Sequence, residues 1–104
     1  MLTTYAEIKQ QVLDEWDTIK DAVYPEDLLS EWADSNVPVY YSDIIHEWTE
    51  MPRDYDDRWR DDFGNPGDDF TITKLMQIDL YCYYYALFGK AFIELRHDLE
   101  QDAE

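Results

Sequence analysis

The side chains with the most obvious chemistry in this sequence are carboxylates. Its 104 residues include 25 Asp and Glu against 8 Lys and Arg, for a formal net charge of -17. Two carboxylates can act together as general acid and general base when their surroundings separate their pKa values, as in glycosidases. No pair stands out by its sequence context, so we expect no catalytic residue and a protein that is not an enzyme.

The segment DDFGNPGDD at 61–69 is a weak candidate for a calcium loop. An EF-hand loop needs oxygen ligands at alternating positions, a glycine at the sixth position and a glutamate at the twelfth. With Asp61 as first ligand the third position is Phe63, and with Asp62 it is Gly64. The segment HEWTE at 46–50 lacks the second histidine of a zinc protease motif. We therefore predict no dedicated metal site and no cofactor.

A reducing cytoplasm fits the single cysteine, Cys82, because one cysteine cannot form a disulfide within the chain. Cys82 lies in the longest apolar run, Leu80 to Phe88, and is expected to be buried. The nine residues of this run are too few to cross a bilayer, and the N-terminus lacks the regions of a signal peptide. The scattered basic residues form no stripe for phosphates, so we expect neither nucleic-acid binding nor membrane binding.

The length and the apolar content predict one packed domain over residues 1–104. Hydrophobic residues make up 45% of the chain and aromatic residues 16%, far more than in disordered acidic tails. A compact domain of this length has a radius of gyration of about 13 Å and a diameter of roughly 33 Å. About 29 Å of duplex DNA carries the same charge as this chain. The predicted charge density thus matches a double helix, although high solubility alone, as in a halophilic protein, is an alternative reason for such acidity.

Apolar residues at steps of three and four predict a first helix from about residue 4 to Tyr24. Thr4 and Glu7 fit a capping box at its start. Pro25 suits the first position of a second helix that ends near residues 34–36. The stripe of the first helix comprises Tyr5, Ile8, Val12, Trp16, Ile19 and Val23.

Pro38 is predicted to begin a third helix that ends at Met51 and Pro52. Tyr40 and Tyr41 are expected in the core with their hydroxyls at its edge. The stripe of this helix comprises Tyr41, Ile44, Ile45 and Trp48.

Residues 52–70 predict a weak helix and then a turn at Gly64, Pro66 and Gly67. A long helix is predicted from about Thr71 to Gln101. Its apolar residues lie on nearly every face, which is typical of a central helix surrounded by others. The chain is therefore predicted to be all-α, with four to five helices and a long central C-terminal helix.

Two segments resemble the phage overcome-classical-restriction (Ocr) family. The first is ADSNVPVYYSDII at 33–45, and the second is LMQIDLY at 75–81, with an apolar-apolar-Gln-x-x-apolar-Tyr pattern. Their order and spacing and the chain length also agree with the family, whereas the segment between them differs in carrying three arginines, at positions 53, 58 and 60. The matching positions are Ala33, Asp34, Val37, Pro38, Tyr40, Tyr41, Asp43, Ile44, Leu75, Met76, Gln77, Leu80 and Tyr81.

Proteins of this family are small acidic dimers that mimic bent B-form DNA and occupy the DNA-binding groove of type I restriction-modification enzymes. The resemblance implies a non-enzymatic inhibitor of this kind, an elongated homodimer acting in the host cytoplasm during phage infection. BREX-type and CRISPR-type systems are alternative targets. The resemblance also implies a dimer contact at Ile45, Trp48 and Thr49, on the exposed side of the third helix. It is equally consistent with the sequence that Ile45 and Trp48 complete the core of the monomer.

Carboxylates on polar helical faces are expected to stand in for phosphates, because helices hold charges at fixed spacing. An alternative is an acidic immunity-type partner that neutralises one basic nuclease or toxin by shape; a third is an acidic metal buffer or a hydrolase. A mimic should compete with duplex DNA for several unrelated proteins, whereas a dedicated partner should bind one. The expected phosphate mimics are Asp14, Asp17, Asp21, Glu26, Asp27, Glu31, Asp34, Asp43, Glu47, Asp54, Asp57, Asp61 and Asp62.

Overall fold

A computed structural model of the protein describes residues 2–52 and 70–102, with side chains up to residue 99. These two ranges are all-α and contain no strand, which confirms the predicted fold class. No helix within them is both long enough and apolar enough to span a membrane. The helices are α1 (Tyr5–Asp14), α2 (Trp16–Ile19), α3 (Pro25–Asn36), α4 (Tyr41–Glu50) and α5 (Phe70–Asp102).

The start of α1 is the capping box that the sequence predicts. The Glu7 backbone N–H donates to Thr4 Oγ1 at 3.2 Å, and the Thr4 N–H donates to Glu7 Oε2 at 3.0 Å. Ile8 and Val12 of its stripe are fully buried, as is Ile19 of α2.

The prediction of one helix from residue 4 to Tyr24 is wrong in two respects. Glu15 has φ -106° and ψ 19°, which separates α1 from α2, and α2 ends at Ile19. Val23 is 82% exposed and does not belong to the buried stripe. Tyr24 has φ -125° and ψ 74°, outside the helical region, because the following Pro25 disfavours helical backbone there, so residues 20–24 form the turn into α3.

Helix α5 is the element on which α1, α3 and α4 pack. Trp16 contacts Phe92 and Trp32 contacts Phe88, with ring centroids 5.8 and 6.3 Å apart. The buried residues of α5 recur at steps of three and four and so lie on one side of the helix. They are Thr73, Met76, Leu80, Tyr84, Phe88, Ala91 and Leu95.

The other side of α5 is exposed in the described part of the chain. Leu75, Ile78 and Ile93 are 44%, 58% and 67% exposed. Cys82 is exposed as well, so the prediction that it is buried is wrong. Among the described helices, α1, α3 and α4 all pack against one side of α5 and leave the opposite side open.

The segment before α4 binds α5 through its backbone. The Pro38 carbonyl accepts a hydrogen bond from Gln77 Nε2 at 2.9 Å, and α4 begins at Tyr41, three residues later than predicted. Tyr40 is 73% exposed and Tyr41 40% exposed, so neither lies in the core as predicted. The two segments that carry the family resemblance therefore contact each other through Pro38 and Gln77.

A buried tyrosine links α5 to α4 and to the N-terminal residues. Tyr84 is fully buried, and its hydroxyl donates to Glu47 Oε1 at 2.6 Å and accepts from the Thr3 N–H at 3.1 Å. Glu47 is 7% exposed. A buried carboxylate needs such donors, since an unsatisfied one is costly. Burial and the Glu47 hydrogen bond raise the pKa of Tyr84 to about 12.

We expect Tyr84→Phe to lower the free energy of unfolding by about 1 to 3 kcal/mol, because it leaves the Glu47 carboxylate without its donor. Urea unfolding measures this. Tyr85→Phe is the matched control: the Tyr85 hydroxyl donates to the Glu26 carbonyl at 3.5 Å in an exposed contact, and it should contribute less than about 0.5 kcal/mol. Equal losses for both variants would contradict the role given to Tyr84.

Alkaline pH should unfold the protein partly through Tyr84. Its folded pKa of about 12 lies above the ordinary value of 10.0, so the folded state holds the proton more tightly. The resulting stabilisation is complete below pH 10 and is lost as the pH rises through the folded pKa. The unfolding free energy should fall more steeply between pH 10 and about 12 in the wild type than in Tyr84→Phe. Parallel curves for the two proteins would rule this contribution out.

Candidate functional site

Acidic residues are divided unequally between the two described ranges. Residues 2–52 contain 12 Asp and Glu and only two basic residues, Lys9 and Lys20. Residues 70–99 contain three acidic and three basic residues. Since α1, α3 and α4 cover one side of α5, the negative charge of these two ranges lies mainly on the outer helices, which pack against a helix that is nearly neutral.

Most of the expected phosphate mimics in the described ranges are exposed. They are Asp14, Asp17, Asp21, Glu26, Asp27, Glu31, Asp34 and Asp43. Asp54, Asp57, Asp61 and Asp62 lie outside the described residues, as does the weak helix expected around them.

Several of these carboxylates have no partner within the described part of the chain. Asp14 accepts from Gln10 Nε2 at 2.7 Å, and Asp17 pairs with Lys20 at 3.3 Å. Among the described residues, no hydrogen bond or ion pair reaches the side chains of Asp21, Glu26, Asp27, Glu31, Asp34 and Asp43. Their oxygens are therefore available to cations or donors of another molecule.

Helix α3 holds three of these carboxylates in a row. Asp27, Glu31 and Asp34 are spaced by four and three residues, and all are exposed. They lie opposite Leu29 and Ala33, which are buried against the core. The helical rise places them about 6 and 4.5 Å apart along the axis, a spacing of the same order as the roughly 3.4 Å per phosphate along one DNA strand.

Glu47 is the exception, and the expectation that it lies on a polar face is wrong. It is 7% exposed and accepts the hydrogen bond from Tyr84. The spacing contained the signal, because Ile44, Glu47, Trp48 and Met51 follow the i, i+3, i+4, i+7 pattern of a buried stripe. Glu47 was nevertheless expected on a polar face because its side chain is charged.

The three residues expected at a dimer contact differ in accessibility. Trp48 is 5% exposed and donates from Nε1 to Asp79 Oδ2 at 2.9 Å, so the expectation that it lies on the exposed side of α4 is wrong. Ile45 is half-buried against the core, and Thr49 is exposed. Trp48 thus belongs to the core of the monomer, which was the alternative interpretation.

A second polar cluster, not anticipated from the sequence, joins α1 to α5. Glu94 Oε2 accepts from the Tyr5 hydroxyl at 2.5 Å and from Lys9 Nζ at 3.3 Å. These hydrogen bonds lower the pKa of Glu94, and the bond from Tyr5 has the largest effect. Burial, together with the contact to Glu94, raises the pKa of Tyr5. Glu94 thereby has partners within the chain, whereas the exposed carboxylates of α3 have none among the described residues.

The molecule is longer and thinner than a compact domain of this length. Its extents are 54 × 23 × 21 Å and its radius of gyration is 15.5 Å. The expected 13 Å is too small because α5, with 33 residues, is itself about 50 Å long. A 54 Å length of duplex DNA carries about 32 phosphates, so a chain of charge -17 has at most about half that density. The predicted match to a double helix is therefore wrong for one copy.

In the ranges 2–52 and 70–99, no three His, Cys, Asp or Glu side chains form a group that could hold a metal ion. The candidate functional site is therefore a surface of exposed carboxylates that the helices hold in fixed positions. No family model, no curated protein and no solved structure matches this chain.

Proposed function

We propose that this protein is a non-enzymatic DNA mimic that inhibits a host defence enzyme by occupying its DNA-binding groove. The target class that the sequence resemblance favours is type I restriction-modification, with BREX-type and CRISPR-type systems as alternatives. In this proposal the protein is a phage protein that acts as a homodimer in the host cytoplasm.

The observation that carries the proposal is the set of exposed carboxylates on α3 and its neighbours that have no partner among the described residues. A protein that needed its acids only for internal salt bridges would pair them, as Glu94 is paired with Lys9. Here six expected phosphate mimics have no hydrogen bond or ion pair to another residue in the ranges 2–52 and 70–99. The row on α3 adds a regular spacing, which a general requirement for solubility does not demand.

The physical mechanism is electrostatic competition with DNA. A DNA-binding groove presents Lys and Arg to phosphates, and its affinity for any polyanion is strongly dependent on salt. Carboxylates on folded helices are ordered before the encounter, so binding loses less conformational entropy than with a flexible acidic tail. Long-range attraction also accelerates association.

Displacement by DNA is the central test. The protein, immobilised and incubated with bacterial lysate, should capture DNA-binding proteins that duplex DNA releases and that added salt releases as well. Restriction assays with purified type I enzyme should show inhibition that excess duplex DNA relieves. Capture of a single protein that duplex DNA does not displace would instead identify an acidic partner of one basic nuclease or toxin.

Single substitutions should have small effects, and a block should have a large one. An exposed charge contributes about 0.5 kcal/mol, so one amide replacement should weaken inhibition less than about fivefold. Replacing six together should weaken it by at least about 100-fold. The block is Asp21→Asn, Glu26→Gln, Asp27→Asn, Glu31→Gln, Asp34→Asn and Asp43→Asn. Loss of inhibition from one of these changes alone would indicate a site of another kind.

A charge-matched comparison separates spacing from net charge. Asp27→Asn, Glu31→Gln and Asp34→Asn remove the row on α3. Glu15→Gln, Asp43→Asn and Asp98→Asn remove three exposed carboxylates from three separate parts of the chain. Both triple variants have the same net charge. Mimicry predicts the larger loss of inhibition for the α3 variant, and equal losses would show that only net charge matters.

A further inference from the structure

The open side of α5 carries an uncharged stripe that the proposed function does not use. Its members recur at steps of three and four over about 27 Å of helix. The large residues at its two ends are 44% to 67% exposed, and all but the glycine are exposed residues of the chain. We call these residues the α5 stripe: Leu75, Ile78, Cys82, Ala86, Gly89 and Ile93.

Gly89 is the residue of the stripe whose lack of a side chain is not explained by contacts within a single chain. It lies inside a 33-residue helix, where glycine is less favourable than alanine because it loses more backbone freedom on folding. A Cβ built at Gly89 would meet no atom within 4 Å. The monomer therefore has room for a side chain here, and the absence of one needs another reason. Close approach of a second backbone or side chain is such a reason.

The stripe is complementary to itself when two copies run antiparallel. A two-fold axis at the level of Tyr84 places Leu75 opposite Ile93 of the second copy, and Ile78 opposite Gly89. Cys82 then lies opposite Ala86, so the centre of the contact contains only small residues. At each end of the contact a large residue therefore meets a large residue, and next to it Ile78 meets a glycine. Interdigitating helices need such an alternation of large and small residues.

We propose that the α5 stripe is the contact between two copies of this chain, paired antiparallel about a two-fold axis, with Ile78 of each copy seated on Gly89 of the other. Such a contact is isologous, as in most protein dimers. It differs from the α4 contact that the sequence resemblance implies, where Trp48 is buried within its own chain.

The distribution of charge favours a second copy as the partner. The stripe contains no charged residue, and residues 70–99 have equal numbers of acidic and basic side chains. Pairing along α5 leaves the acidic helices α1, α3 and α4 of both copies facing outward. Two copies side by side carry a charge of -34, twice the -17 of one chain, along the same 54 Å. That is close to the roughly 32 phosphates of duplex DNA of this length.

Charge also opposes the pairing at its edge. Glu26 and Asp27 border the same groove as Cys82 and Ala86, so the acidic groups of two copies approach each other there. Salt screens this repulsion. The dimer should therefore become tighter as salt is added, whereas binding to a basic target should become weaker.

Sedimentation equilibrium of the full chain tests the contact without any target, so its outcome is independent of whether the protein mimics DNA. The wild type should be a dimer whose dissociation constant falls with added salt. Gly89→Leu should be monomeric over the concentrations at which the wild type dimerises, because the added side chain occupies the place of Ile78. Its helical content by circular dichroism should be unchanged, since the monomer has space at this position. A monomeric wild type would overturn the proposal.

The controls place the contact on α5 and not on α4. Thr49→Glu introduces a charge on the exposed side of α4 and should leave the dimer intact. Gly89→Ala should weaken the dimer less than Gly89→Leu while making the folded monomer more resistant to urea. A dimer that Thr49→Glu dissociates and Gly89→Leu does not would assign the contact to α4 and overturn the proposal.

Oxidative crosslinking tests the antiparallel register. The wild type has a thiol only at position 82, and the double variant Cys82→Ser, Ala86→Cys has one only at position 86. Antiparallel pairing about Tyr84 places these positions opposite each other, so an oxidised mixture should contain mainly the mixed covalent dimer, identified by a tag on one chain. Covalent dimers of each protein with itself, in place of the mixed dimer, would overturn this register.

Discussion

The structure depends on the burial of one side of α5. Helices α1, α3 and α4 each pack mainly on that side, through residues such as Phe88 and Leu80, and they contact one another much less. Apolar burial contributes about 25 cal/mol per Å², and here it must overcome the mutual repulsion of a chain with a net charge of -17. The repulsion is reduced because the outer helices point their acids away from the shared helix. A nearly neutral α5 is therefore a condition for the acidic exterior.

The buried polar groups have a different role from the surface acids. Glu47 accepts from Tyr84, and Tyr84 accepts from the Thr3 backbone, so one group of contacts joins the N-terminal residues, α4 and α5. Glu94 joins α1 to α5 in a similar way through Tyr5 and Lys9. These carboxylates position helices. The exposed carboxylates of α3 have no such partners in the part of the chain that the structure describes, and this difference separates structural acids from those available to another molecule.

The sequence predicts the helices well where local signals and burial agree. Thr4 and Glu7 define the start of α1, Pro25 defines the start of α3, and the apolar residues between Leu75 and Leu95 indicate the long helix α5. It predicts individual side chains less well, because periodicity alone does not say which stripe faces a neighbour. Val23 continues the apolar stripe of the first predicted helix but lies beyond the end of α2. Cys82 lies in an apolar run, but on the exposed side of α5.

In two further places, a prediction of burial or exposure from residue type was wrong. Tyr40 and Tyr41 are large and aromatic, yet Tyr40 is the extended residue before α4 and both rings are accessible. Glu47 carries a charge, yet its position between Ile44 and Trp48 places it inside. The Pro38 carbonyl and Glu47 each form a hydrogen bond with α5, to a partner 39 and 37 positions away along the chain. The local spacing indicates that Glu47 belongs to a buried stripe, but it does not indicate the partner that satisfies its charge.

The dependence of α1, α3 and α4 on α5 also bears on how the chain can fold during synthesis. Helices of 10 to 12 residues, such as α1, α3 and α4, are marginal in water when isolated. The surface that stabilises them belongs to α5, which follows them in the sequence. The acidic segment before α5 must therefore remain unfolded until α5 has been synthesised, and its like charges help to keep that nascent segment extended and free of aggregation.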